Sequence, residues 1–474
     1  MWLLLSVLLV YSDSDLLAPN LTKCAESLHM TALERDEKLG GGLSLGMFLV
    51  GAPAAFLIGV LADGCLAKTK LLSIVLGIGG TGCVLSGMAA TYEQLFLARS
   101  LTGISLAGAF PLTYALVSEW YSPDERTLLF SRLDLVASIG VLVGQSVAGW
   151  IGPTVGWRLP FVIVGLPMIL LSVLVYQVLY KREVTFTTSR NNQNNDDTDT
   201  STDMNATISK DKQHNSNSKE GPQHRRQTND DSPTISSTET AQSSFSIWQW
   251  APLFRRPTYW LLLLQGIPGC VPWSVLCTFW PDYLHVNTGY SVEEATWIVF
   301  CFKIGVMVGI WGSGQLGRRL YAMSTKHPPI FMFVVGIARI PLTTQLLYPH
   351  RMQPQFLVHA IAFLAGILAA PTGTLVRAMV SHITEPTQRG MAFASFVLTD
   401  DIGRGAGPVL VAHWIALAHG ERQPAFETAI AQGWIWNSVF AGLTYFTVRR
   451  DERDVKHAMQ RLPSTSNTND GRTE

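Results

Sequence analysis

The sequence predicts an all-α membrane protein, with twelve transmembrane helices arranged as two pseudo-symmetric bundles of six. Three observations lead there. Of 474 residues, 47% are hydrophobic and only 15% charged, whereas a soluble protein carries about 25% charged residues. Apolar runs long enough to cross a bilayer core of about 30 Å recur along the whole chain. Finally, the stretch 98–150 returns after a shift of 263 positions, without a gap. Gly103, Ile104 and Ala107 meet Gly366, Ile367 and Ala370; Pro123 and Arg126 meet Pro386 and Arg389; Phe130, Ile139, Gly140 and Gly144 meet Phe393, Ile402, Gly403 and Gly407. Each copy reads as an apolar helix, a polar Pro-x-x-Arg turn and a second apolar helix with Gly-x-x-x-Gly, which is a transmembrane hairpin. Such internal repeats are characteristic of secondary transporters.

In chain order, the first six runs fall at 2–24, 43–62, 71–90, 94–118, 129–152 and 159–180. The first is interrupted by polar residues; its block Trp2–Val10 lacks the positive n-region and small-residue cleavage site of a signal peptide, so a membrane helix is preferred. A start that lacks a cytoplasmic tail is a further expectation. The second six runs fall at 258–283, 293–313, 328–347, 355–380, 390–417 and 426–447. Between the sets, residues 183–245 are rich in Ser, Thr, Asn, Asp and Gln and cannot bury enough apolar surface to fold, so a disordered cytoplasmic linker is expected. Phe245 to Arg256 mixes aromatics with Arg, as an interfacial helix does. The domains are therefore 1–182, a six-helix bundle; 183–245, the linker; 246–448, the interfacial helix and second bundle; and 449–474, a cytoplasmic tail.

Orientation follows from basic residues in the short connections. One set holds Lys68, Lys70, Arg126, Lys181, Arg182, Arg318, Arg319, Arg389, Arg449 and Arg450; the alternate set holds Arg35, Lys38, Arg158, Arg351 and Arg422. The richer set, both termini and the linker are expected in the cytoplasm. The choice between plasma membrane and endomembrane stays open. Lys+Arg and Asp+Glu both number 35, so nothing suggests a nucleic-acid partner. The six Cys lie in or beside apolar runs without metal-ligand spacing.

Gly59-Val-Leu-Ala-Asp63 followed by Lys68 matches the Gly-x-Leu-Ala-Asp pattern between helices 2 and 3 of major facilitator superfamily transporters, and the chain resembles that superfamily. Its second-half counterpart, Gly314-Gln-Leu-Gly317-Arg318-Arg319, keeps the basic end but has glycine where the carboxylate belongs. The resemblance implies two rigid halves latched at these loops, with Gly59 and Gly103 as helix-approach glycines. It implies gating roles for Asp63, Lys68, Arg318 and Arg319, and for Gly140, Gly144, Gly403 and Gly407. Tyr11-Ser-Asp13, Ala98-Arg99 through Gly103-Ile104, and Gln265 through Trp273 are similar to the spinster-like branch, which implies lysolipid or sphingoid export linked to proton movement.

Helix rise of about 1.5 Å per residue puts Asp13, Lys303, Asp400 and Asp401 near the membrane midplane, Asp15 close by, Arg404 one turn further and Arg99 in the outer third. An ionised group at that depth costs about 2.5–3.5 kcal/mol on insertion scales, so it needs a wet cavity or a partner. Asp13, Lys303 and one of Asp400 and Asp401 are expected to line a cavity between the halves. A carboxylate drawn out of water binds its proton more tightly and can carry one; Lys303 and Arg404 suit an anionic headgroup. An ion pair between Asp400 and Arg404 is the structural alternative. Pro268, Gly269 and Pro272 predict a broken helix 7 flanked by Gln265 and Trp273.

The expected function is transmembrane transport of a small organic solute or lysolipid-like amphiphile by alternating access, with a coupling proton. A non-transporting membrane sensor on the same fold is the alternative. No Ser-His-Asp set, metal spacing or phosphate loop suggests an enzyme, and no cofactor is expected. Expected partners are the substrate and the lipid bilayer, with the chain acting as a monomer.

Overall fold

A computed structural model describes residues 1–64, 67–120, 123–180, 251–348, 354–385 and 388–460. The linker 183–245 and the Phe245–Trp250 part of the interfacial segment lie outside the described residues; Ala251–Phe254 forms one helical turn. The first half contains α1 (Trp2–Ser27), α2 (Leu43–Gly64), α3 (Lys68–Met88), α4 (Tyr92–Trp120), α5 (Pro123–Val155) and α6 (Leu159–Val178). The second half contains α7 (Pro257–Val286), α8 (Val292–Met323), α9 (His327–Gln345), α10 (Gln355–His382), α11 (Arg389–Leu417) and α12 (Arg422–Gln460).

By length and hydropathy alone, nine spans qualify among the described residues. The remaining helices, α9, α11 and α12, carry Arg339, the Asp400–Asp401–Arg404 group and Asn437 in their interiors, which dilutes their apolar signal. Observed ends also outrun the apolar runs. A π-helical stretch, Arg35–Gly42, runs straight into α2, and α12 continues past residue 448 to Gln460 as one helix.

Proline sets the local breaks. Pro19 cannot donate to the carbonyl one turn back, and α1 opens at Asp15–Leu17 into a 3₁₀ turn, Ala18–Asn20. Pro268 likewise leaves the Leu264 carbonyl without its helical donor, and α7 is interrupted at Gln265. A π-helical turn, Val275–Phe279, follows within the same helix.

Packing repeats from half to half. Helix α1 packs on α5, α2 on α4 and α3 on α6; in the second half α7 packs on α11, α8 on α10 and α9 on α12. The repeated glycines sit at these crossings. A Cβ on Gly144 would meet the Ser12 carbonyl oxygen at 1.9 Å, and one on Gly140 the Leu8 oxygen at 2.5 Å. Gly403 and Gly407 make the equivalent approach to Cys270 and Ser274 of α7. Gly103 meets the Met47 oxygen and Gly366 the Phe302 oxygen, at 2.2 and 2.1 Å. Small residues let helix backbones come together in a membrane, so the sequence repeat is the imprint of two equivalent crossings. Gly59 departs from its expected part: nothing lies within 4 Å of a Cβ placed there, because Gly59 lies on the exposed side of α2 while Ile58, Leu61 and Ala62 face the first-half core.

The halves meet where α2 and its lead-in cross α11 and where α5 crosses α8. On the face opposite the N-terminus, here the far face, one apolar core draws on both halves, joining Leu16, Leu21 and Leu39 to Phe279, Tyr283 and Phe426. Toward the N-terminal face the core divides. Val7, Leu72 and Leu116 belong to a cluster of the first half alone, and Tyr259, Met379 and Phe396 to one of the second. The halves are thus joined at the far face and separate toward the other.

Candidate functional site at the seam between the halves

At the far face, four charges are buried together. Asp36, in the lead-in to α2, accepts from Arg35 Nε at 2.9 Å and from both Nε and a terminal nitrogen of Arg422 at the start of α12. Arg422 also donates to Asp282 of α7 at 2.9 Å. Asp282 accepts further from the Thr22 amide and hydroxyl at 2.8 and 2.9 Å, and Arg35 donates to that hydroxyl at 2.9 Å. None of the four charged residues exceeds 7% exposure. Thr22, Arg35 and Asp36 belong to the first half and Asp282 and Arg422 to the second, so this neutral network bolts the halves together. Around it, the Phe279 ring fills the space that a side chain on Gly40 would take, and Tyr283 packs edge-on against Phe426.

All but Gln265 of the expected site residues fall into three groups. Asp13 and Arg99 pair at 2.7 Å, with further Arg99 bonds to the Asp13 and Ser14 carbonyls. Both are buried, within the first half, and the pair satisfies the opened end of α1. Asp15 instead reaches across the seam to Lys303 of α8, at 3.8 Å. Lys303 also donates to Cys277 Sγ at 3.2 Å, and Gln145 of α5 to the Cys277 carbonyl at 3.4 Å. The π-helical turn in α7 supplies both Cys277 contacts. Lys303 is 9% exposed, and Trp273 packs edge-on against its neighbour Phe302 at 6.0 Å.

Nearer the N-terminal face, Arg404 lies 3.5 Å from Asp401, three residues back on α11, and its side chain is 48% exposed. The structural alternative of an Asp400–Arg404 pair is not what forms; the Asp400 carboxylate turns to α7, where Gly266 leaves room for it at the break. Tyr11 of α1 lies in the field of Arg404 and Asp401 and of Asp134 and Arg377. The last two form a second link between the halves, 3.9 Å long and about half exposed on both sides. Compared with the far-face network, this link is open to solvent.

Gln265 does not join the seam group. It is 4% exposed, and Asn437 of α12 donates to its side-chain oxygen at 2.6 Å and to its carbonyl at 2.9 Å. Arg339 of α9 in turn donates to Asn437 Oδ1 at 2.6 Å and to the Ala369 carbonyl at 3.2 Å, and stacks over Trp434. This network sits inside the second half and ties α7, α9, α10 and α12 together. Of the expected gating residues, Arg318 and Arg319 are exposed, with Arg318 donating to Gln315 at 3.3 Å, and Lys68 starts α3. Pro386 and the side chains of Asp63, Arg126 and Arg389 lie outside the described residues. Among the described residues, no group of His, Cys, Asp or Glu could hold a metal ion.

Sequence reading missed Asp36, Asp282 and Arg422. Each sits at an expected helix end, where a charge is normally read as solvated. No local signal marked them: Asp36 lies in the charged run Glu34–Lys38, and Asp282 and Arg422 lie at helix ends far apart in the chain.

The sequence profile of the Major Facilitator Superfamily matches residues 3–408. Synaptic vesicle glycoprotein 2B of Rattus norvegicus is 29% identical over 160 residues, which cover 33% of this chain and 23% of that protein. The 4-hydroxybenzoate transporter PcaK of Pseudomonas putida is 26% identical over 305 residues, 62% of each chain. Among solved structures, the crystal structure of a bacterial homolog of the human lysosomal transporter Spinster, inward-facing and occupied, superposes with a TM-score of 0.60 at 18% identity, covering 96% of this chain and 97% of that one. With the profile running through both bundles, this multi-pass membrane protein belongs to the Major Facilitator Superfamily.

Proposed function

We propose that the chain transports a small organic anion across a membrane by alternating access, the two halves rocking about the seam. The single observation that carries this reading is the asymmetry of that seam. One end is sealed by a shared apolar core and a buried four-charge network, while the other has separate cores and a solvent-open ion pair. A site that is closed on one side and open on the other is what alternating access requires. With the N-terminal face in the cytoplasm, as the basic loops suggest, this is an inward-facing state.

Lys303 supports an anionic substrate. Its ammonium has three donors, one used on Cys277 Sγ, and its approach to Asp15 at 3.8 Å is longer than the roughly 2.7–2.9 Å of a strong charged hydrogen bond. A substrate carboxylate would take the place of Asp15 there, with the partly exposed Trp273 held nearby by its packing on the buried Phe302. Two relatives are named for benzoate and 4-hydroxybenzoate, which favours a small aromatic carboxylate over a lysolipid. Asp400 and Asp401, neither in a tight ion pair, are suited to carry a coupling proton.

The test is flux in proteoliposomes of the full chain, with labelled benzoate-type acids, a lysophospholipid and a neutral sugar in parallel. Uptake of the acid, saturable and lost in Lys303→Gln at equal reconstitution, is expected. Uptake of the lysolipid or the sugar instead would overturn the anion assignment. Flux of none of them, with folded protein, would favour the sensor reading.

A further inference from the structure

A groove of about 340 Å³ opens on the outer surface of the second half, between α9 and α12, away from the seam. Its lining is apolar: Ile330 and Phe333 from α9, and Val439, Leu443 and Phe446 with Tyr445 from α12. The recess exists because Gly442 has no side chain; a Cβ there would already press on the Phe333 ring at 3.0 Å.

Cations crowd its N-terminal-face end. Lys326, at the start of α9, holds its ammonium 4.5 Å from the centre of the Tyr445 ring. Along α12 the groove stripe Gly442–Phe446 continues at helical spacing into Arg449, Arg450 and Arg453, all exposed. The acidic residues of the same run mostly turn inward. Asp451 accepts from the Thr258 amide at 2.9 Å and Glu452 faces His382 at 3.8 Å; only Asp454 is exposed among the arginines. An apolar furrow that ends in a cluster of cations at one membrane surface matches one kind of molecule, an acyl chain with an anionic head.

We propose that this groove binds an anionic phospholipid, with one acyl chain along α9 and α12 and the headgroup held by Lys326, Arg449 and Arg450. The site is separate from the seam, so its occupancy is independent of the transport reading. Each cation near a membrane surface adds about a fivefold gain in affinity for an anionic lipid, so three together give a preference of about a hundredfold.

The experiment is native mass spectrometry of the full chain in mild detergent, titrated with phosphatidylserine and with phosphatidylcholine of identical acyl chains. Wild type is expected to bind phosphatidylserine about a hundredfold more tightly. Lys326→Gln with Arg450→Gln should reduce that preference by roughly twenty-five fold. Gly442→Leu, which fills the groove and leaves the cations, should weaken both lipids alike. Equal binding of the two lipids by wild type, or a preference unchanged in the doubly neutralised protein, would overturn the proposal. Should Gly442→Leu not fold, the neutralised variant alone decides.

Discussion

Replacing Arg422 by Gln should unlatch the far face. In the closed state Arg422 serves both Asp36 and Asp282, and Arg35 is the only other cation in the network, 4.0 Å from Asp282. Without Arg422, two buried carboxylates share one guanidinium. Breaking a buried ion pair by deleting one partner costs about 3–5 kcal/mol; the bonds kept by Arg35 and Thr22 place this case near 3 kcal/mol. That cost falls only on the state in which the network is buried, so it shifts the equilibrium toward an open far face about a hundredfold. Complete inversion from 99:1 to 1:99 takes about 5.5 kcal/mol, so closed and open populations should coexist. Spin labels at Leu33 and Glu421, both exposed and one in each half, report the separation by pulsed electron resonance. The wild type should give one short distance, and Arg422→Gln a second, longer one. Adding Asp36→Asn, which restores neutrality, should recover much of the short population. A folded Arg422→Gln protein whose distance distribution matches the wild type would refute the latch.

Four further outcomes are expected. Gly144→Leu should lower the thermal midpoint in detergent sharply, since even its Cβ collides with the Ser12 backbone and overpacking costs about 1–3 kcal/mol or more; an unchanged midpoint would show that α1 and α5 do not cross as described. Asp13→Ala should reduce folded yield, by about 3–5 kcal/mol of lost stability, because it strands the buried Arg99 guanidinium. Asp400→Asn should instead leave the melt within about 1 kcal/mol and abolish the response of flux to an imposed pH gradient; normal gradient-driven flux would remove it from the proton path. Asn437→Leu should destabilise the second half by about 1.5–3 kcal/mol, as it takes the 2.6 Å acceptor from Arg339, read as a lower thermal midpoint with first-half contacts intact.

The helices were legible because membrane insertion imposes length and apolarity on each segment independently. The repeat was legible because a glycine at a backbone crossing admits no substitute without a clash, as at Gly140 and Gly403. The site was legible only in part. Asp15, Lys303 and Arg404 declared themselves by the cost of a charge in mid-membrane, but the same logic could not say which face of its helix each occupied. Asp13 and Asp400 carry the same chemistry; one is locked to Arg99 in a tight ion pair and the other lies against Gly266 of α7.

By itself, then, the sequence determined the twelve-span architecture, its two-fold repeat and the list of ionisable groups that had to be sheltered. Only the tertiary structure decided who shelters whom. Asp36 and Arg422 stand nearly the whole chain apart and look like ordinary loop-end charges, yet they meet in the bolt of the far face. Gln265, read as flanking a broken helix at a binding site, is bonded to Asn437 inside the second half. The reason is that burial energy belongs to pairs, and a pair between distant segments has no local signature: it exists only once two bundles have folded and docked.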